Sequence, residues 1–215
     1  MLESLSRFDG IIVLSRPHCT PSLKTMRRLI FIPIIHSSVD LGSMSESVKA
    51  YYLKTFGPGI WNQREHFVTK LWNNIQEKIN LLDIDYKKGR IYQDGLPVCG
   101  FEQEIAQELA KAGSSNHQLI LELVGRGATL MGTEDPQLLI QEYQLHQQAQ
   151  DTLHSQLEKS EEAARMLEAR DRFVANRIDE TLQDGETGLL FMGAAHRLDV
   201  LKSTDIRLEP LLDFS

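Results

Sequence analysis

The sequence predicts an α/β protein with a largely parallel or mixed central sheet, flanking helices and a long helical segment before the last core strand. Two observations carry that prediction. Short β-rich runs recur along the chain, several of them apolar throughout, which is the pattern of strands covered on both faces. Between most of them lie helix-like stretches longer than the dozen residues a parallel connection needs.

The runs are "GIIVLS" (10–15), "LIFIPII" (29–35), "GRIYQD" (89–94), "ATLMGT" (128–133), "GLLFMG" (188–193) and the weaker "DIRLEPL" (205–211). The first two are joined by "RPHCTPSLKTMRR", whose two prolines make a helical crossover marginal and leave an antiparallel pairing open. Helices are expected over 45–56 and 60–82, then over "FEQEIAQELAKAG" and "NHQLILELVGRG". Gly57-Pro58-Gly59 marks the break between the first two. Trp61 and Trp72 share a face of the second and read as core or interface.

Residues 136–183 contain no glycine and only Pro136, and are rich in Gln, Glu, Leu and Ala, so they read as one very long helix or two in succession. Leu138, Leu145 and Thr152 start a heptad, but its register fails after Leu153 and "EKSEEA" is polar all round. The apolar residues after that break, Met166 to Ile178, lead into the strand at Gly188 and should cover the sheet. Those before it, Leu138 to Leu157, have no assigned partner, so a twofold homodimer is expected, with a hairpin on the same chain as the alternative.

The 215 residues suit a single α/β domain over 1–215, with 136–183 as a helical segment or arm. With a formal charge of −7 no basic face dominates the composition, which argues against a nucleic-acid partner. No apolar run approaches the roughly 20 residues of a membrane span. "MLESLSRFDGIIVLS" matches neither a secretory signal nor a transit peptide, and Cys19 and Cys99 make no disulfide framework or metal spacing. A soluble, cytoplasmic protein is expected.

Polar residues recur where the strands end. His36 follows "FIPII", Asp94 precedes a glycine turn, Glu134 follows Gly132 and Thr133, and His196 follows "GLLFMGAA", where small residues clear room around the ring. If the strands are parallel, all four converge on the carboxyl edge, where ligands sit in open α/β sheets. Two imidazoles and two carboxylates suit a divalent metal, or a metal-free acid/base set that activates water. His18 is a reserve candidate, whereas His66, His117, His146 and His154 lie in polar helical contexts and are expected at the surface. The chain has no Walker motif, dinucleotide fingerprint or Gly-x-Ser-x-Gly elbow.

The stretch "RDRFVANRIDETLQDGETGLLFMGAAHRLDVL" resembles the closing motif of the TraB/Tiki/ChaN-type superfamily, which includes erythromycin-esterase-like proteins. Arg170 and Asp171 match its polar pair, Ala175 and Ile178 its helix face, and Gly193 and His196 its Gly-x-x-His. An earlier Gly-x-x-His supplies the partner histidine in that group; here His36 is best placed, with Pro33 where the family has glycine. The resemblance implies a site shared by metal-dependent peptidases, ester hydrolases and haem binders.

The expectation is a hydrolase-like enzyme with a site of His36, His196, Glu134 and Asp94, acting on a small-molecule or peptide substrate. His36, His196 and Glu134 are the expected metal ligands, and Arg170 and Asp171 the expected substrate-binding residues, Arg170 holding an anionic group. The alternative is a non-catalytic module that binds or senses a metal, haem or another ligand.

Overall fold

The computed structural model describes residues 26–40, 42, 45–147 and 153–212. The run at 10–15, His18 and Cys19 lie outside them. The described elements are β1 (Arg27–Ile34), α1 (Ser45–Phe56), α2 (Pro58–Asn80), β2 (Gly89–Gln93), α3 (Glu102–Lys111), α4 (Ser115–Gly125), β3 (Thr129–Met131), α5 (Pro136–Gln147), α6 (Leu153–Thr181), β4 (Thr187–Gly193) and β5 (Ile206–Pro210). The glycine-free segment is therefore two helices in succession, and α5 packs against α6 of the same chain. Among the described residues no helix is long and apolar enough to cross a membrane.

The five strands form one sheet in the order β3-β2-β4-β1-β5, and every pairing is parallel. β4 lies between β1 and β2 and presents five consecutive buried residues, Gly188 to Met192. Two apolar clusters sandwich the sheet. On one face α2 and α4 bring Trp72, Ile75, Ile79, Leu119, Ile120 and Leu123 onto Ile30, Ile32, Ile91, Leu189 and Phe191. On the other, Val174, Ile178 and Leu182 pack on Leu29, Tyr92, Leu190 and Met192, as the apolar face read from the sequence requires. Burial on both faces is what selects continuous apolar runs over alternation.

Proline inside β1 has a local explanation. Phe31 accepts a bond from Leu211 N on the β5 side of the strand, and Pro33, two residues on, faces the same side beyond the end of β5 at Pro210. Its missing N–H therefore costs no ladder bond.

Candidate functional site

The strand order makes the carboxyl ends of β3, β2, β4 and β1 consecutive neighbours, and these carry Glu134, Asp94, His196 and His36. All four strand-end residues singled out in the sequence meet at that edge. His36 Nε2 lies 3.2 Å from Asp94 Oδ2, and His196 Nε2 lies 3.4 Å from Asp94 Oδ1. One ligand atom from each of Asp94, Glu134 and His196 falls within 4.8 Å of the others. This three-ligand group includes Asp94, and His36 adjoins it through the second Asp94 oxygen.

Backbone geometry puts the carboxylates there. Gly193 N donates to Asp94 Oδ2 at 3.0 Å, and a Cβ at Gly193 would lie 2.9 Å from that oxygen, so only glycine lets the carboxylate so close to β4. Glu134 is held by its neighbour loop: Glu134 N donates to Leu96 O at 3.0 Å and Val98 N donates to Glu134 O at 2.9 Å. A Cβ at Gly132 would lie 2.7 Å from Val98 Cα and 2.8 Å from Pro97 O, both backbone atoms that cannot rotate away. Gly132→Ala is therefore expected to cost about 1–3 kcal/mol and to displace Glu134, visible as a lowered denaturation midpoint with an unchanged m-value.

α6 supplies the next layer. Arg170 Nη1 donates twice to Glu142 at 2.8 Å, Nη2 to Asp94 Oδ1 at 2.9 Å and Glu134 Oε1 at 2.7 Å, and Nε to Glu134 Oε2 at 3.2 Å. All five of these contacts run to protein carboxylates, the two from Nη1 sharing the oxygens of one carboxylate. In the structure Arg170 thus serves as the hub of three carboxylates, where the sequence suggested a holder of substrate anions. The adjacent Asp171 accepts from His196 Nδ1 at 2.6 Å and from Arg197 N at 3.1 Å. The Asp171 bond fixes the proton on Nδ1 and turns Nε2 toward the carboxylate cluster. The ring of His196 also borders a small apolar pocket lined by Val174, Ile178, Met192, Leu198 and Leu201.

Asp94, Glu134 and Glu142 bond one guanidinium and Asp171 bonds His196, so with all four ionised and both imidazoles neutral three formal negative charges remain. Burial opposes ionisation of Asp94, yet hydrogen bonds and charge from His196 and His36 hold it well below the usual carboxylate range. For Glu134 burial prevails over Arg170 and the pKa rises. Burial also disfavours the charged imidazoles, but their contacts with Asp94 outweigh it and raise both His36 and His196.

Three site-linked features were not legible in the sequence. Glu142 lies in a glutamine-rich stretch of α5 with nothing to mark it. Arg64 of α2 donates to His36 O at 2.7 Å. His117 was expected at the surface but is 5% exposed, 2.8 Å from Ser114 Oγ and 3.3 Å from Asp40 Oδ1. The correction has a simple cause. Ser114 caps α4 by accepting from His117 N, and the cap turns the His117 side chain inward onto the loop after β1. The only hint was a serine three residues before the histidine, ahead of an apolar run.

Asp40 at the centre of this second group has a pKa of about 2: burial alone would raise it, but contacts from His117, Ser114 and Ser37 bring it down from 3.8. A carboxylate depressed in the folded state stabilises above its unfolded pKa and loses that contribution as pH falls through the folded value. The wild type should therefore lose about 2 kcal/mol between pH 5 and pH 2 that Asp40→Asn does not lose; urea melts across that range check it.

The chain matches no family profile, no curated protein and no solved structure. What the fold and site define is a class: a parallel α/β sheet with an imidazole–carboxylate cluster at its carboxyl edge.

Proposed function

We propose that this chain is a hydrolase acting on a small-molecule or peptide substrate with a divalent cation held by Asp94, Glu134 and His196. The observation that carries the reading is the placement of three ligand atoms within 4.8 Å, one of them on a histidine whose other nitrogen is bonded to Asp171. A carboxylate behind a ligating histidine fixes the tautomer that binds metal.

The residues fit such an ion on two counts. Mixed imidazole and carboxylate donors suit zinc or manganese. Each Glu134 oxygen accepts one N–H from Arg170 and keeps a second lone pair, and the three surplus negative charges suit a dication. When bound, the cation would act as a Lewis acid on the scissile group and lower the pKa of water. Asp171 would keep the Nδ1 proton of His196 in place, and Arg170 would hold Asp94 and Glu134 at fixed spacing. His36, half-buried with its Nε2 turned to Asp94, would move a proton to or from the substrate at Nδ1.

Membership of the TraB/Tiki/ChaN-type superfamily is part of this proposal. It is supported by the joint use of the motif residues, since Arg170, Asp171, Gly193 and His196 all bond within the site or to its carboxylates. A cytoplasmic location and a homodimer remain proposals as well, the latter resting on Ile140 and Tyr143 of α5, which stay exposed at 49% and 38%.

The test is a screen of esters, amides and phosphoesters with added zinc or manganese, run in parallel on wild type and His196→Ala. Turnover by the wild type alone is expected. No turnover, with a Soret band on haem addition, would instead make the chain a ligand-binding module.

A further inference from the structure

Behind His36 lies a second buried polar group that the proposed chemistry does not use. Asp40, its side chain 2% exposed, lies in the loop that follows β1. Its Oδ2 accepts from Ser37 N at 2.9 Å and Ser37 Oγ at 2.7 Å; its Oδ1 accepts from Ser114 Oγ and faces His117 Nδ1 at 3.3 Å. Serine, histidine and aspartate in contact invite comparison with a nucleophilic triad, but the geometry is wrong for one. Ser114 is fully buried, and both its Oγ and Asp40 approach the same nitrogen of His117, whereas a triad needs the serine and the aspartate on opposite nitrogens.

The arrangement does something else. Ser114 and His117 belong to the capped start of α4, a helix packed into the sheet through Leu119, Ile120 and Leu123, so Asp40 is tied to a rigid element. Asp40 in turn grips Ser37, the residue next to His36. On its other side the loop is held by Arg64, which donates to His36 O at 2.7 Å and lies over Trp61 at 5.3 Å from the ring centroid. His36 itself makes one side-chain contact across the edge, at 3.2 Å to Asp94. A 31% exposed imidazole on a loop keeps that distance only if its backbone is fixed.

We propose that Asp40 is a positioning residue: by clamping Ser37 to the start of α4 it holds the His36 imidazole against Asp94. The inference rests on the functional reading of His36 above, and its test has a readout that does not need turnover. Asp40→Ala removes the clamp. Asp40→Asn preserves it, because the amide oxygen still accepts from Ser37 and the amide nitrogen donates to Ser114 Oγ, which passes its own proton to His117 Nδ1. Ser37→Ala cuts the two bonds of the Ser37 hydroxyl, to Asp40 Oδ2 and from Asp40 N at 3.3 Å, but keeps the bond from Ser37 N and leaves the Asp40–Ser114–His117 anchor whole.

Imidazole spectra of the full chain with labelled histidine report the result, the His36 cross-peak being identified by its loss in His36→Gln. The peak is expected to move or broaden in Asp40→Ala, to move the same way by less in Ser37→Ala, and to shift least in Asp40→Asn, which loses only the Asp40 charge that helps to raise His36, with the His196 peak unchanged in all three. On any substrate found, kcat should fall roughly 10- to 100-fold in Asp40→Ala with KM within about twofold, and return to within about threefold of wild type in Asp40→Asn. A His36 peak unmoved in Ser37→Ala and in folded Asp40→Ala would overturn the proposal. So would an Asp40→Asn variant as perturbed as Asp40→Ala, which would mean that charge and not the clamp matters. Should no substrate emerge while the peak moves as described, the positioning stands and the hydrolase reading fails.

Discussion

Replacing Arg170 by methionine is expected to lower the stability of the fold by about 3–5 kcal/mol, the cost of leaving buried charges without their partner. The guanidinium is 6% exposed and bonds Asp94, Glu134 and Glu142, of which the first two are at most 7% exposed. Methionine keeps the apolar stem, so the loss reports the charge and its five hydrogen bonds and not a cavity. For a chain of this length the melting temperature should drop by roughly 10 °C or more. Combining Arg170→Met with Glu134→Gln should recover part of the loss, because one of the stranded carboxylates is then neutral. A single variant that melts within about 2 °C of wild type would show that the hub carries none of this burden.

Replacing His196 by alanine should act on chemistry more than on stability. Turnover is expected to fall roughly 10²- to 10⁴-fold, and affinity for a divalent ion to fall with it. Asp171→Asn tests the same imidazole from behind. It keeps an oxygen for Arg197 N but no longer accepts strongly from Nδ1, so metal affinity should weaken by about 10- to 100-fold. Full turnover in His196→Ala would move the site elsewhere.

Much of the architecture was legible because two-sided burial leaves a plain trace. β1 and β4 read as apolar runs and β2 and β3 as shorter β-rich ones, and the residues that follow such runs have to lie at one edge once the strands are parallel. That is why His36, Asp94, Glu134 and His196 could be gathered before any geometry was known. The order β3-β2-β4-β1-β5 left no such trace, since it depends on which helix covers which face. The partners of Arg170 were also hidden. A guanidinium near a strand end suggests a substrate anion equally well, and only packing of α5 on α6 brings Glu142 to it. His117 misled because a histidine among polar neighbours is usually solvated, and the serine cap that buries it acts through a loop 74 residues away from Ser114 in sequence.

A divalent cation at the carboxyl edge, as proposed, would be held by Asp94, Glu134 and His196. Calorimetric titration of zinc and of manganese into protein purified without a histidine tag tests this most directly. One ion per chain, lost in His196→Ala and in Asp94→Asn but retained in His66→Ala at the exposed surface of α2, is the predicted result. No binding of either ion by the wild type, or binding that survives in both site variants, would contradict it.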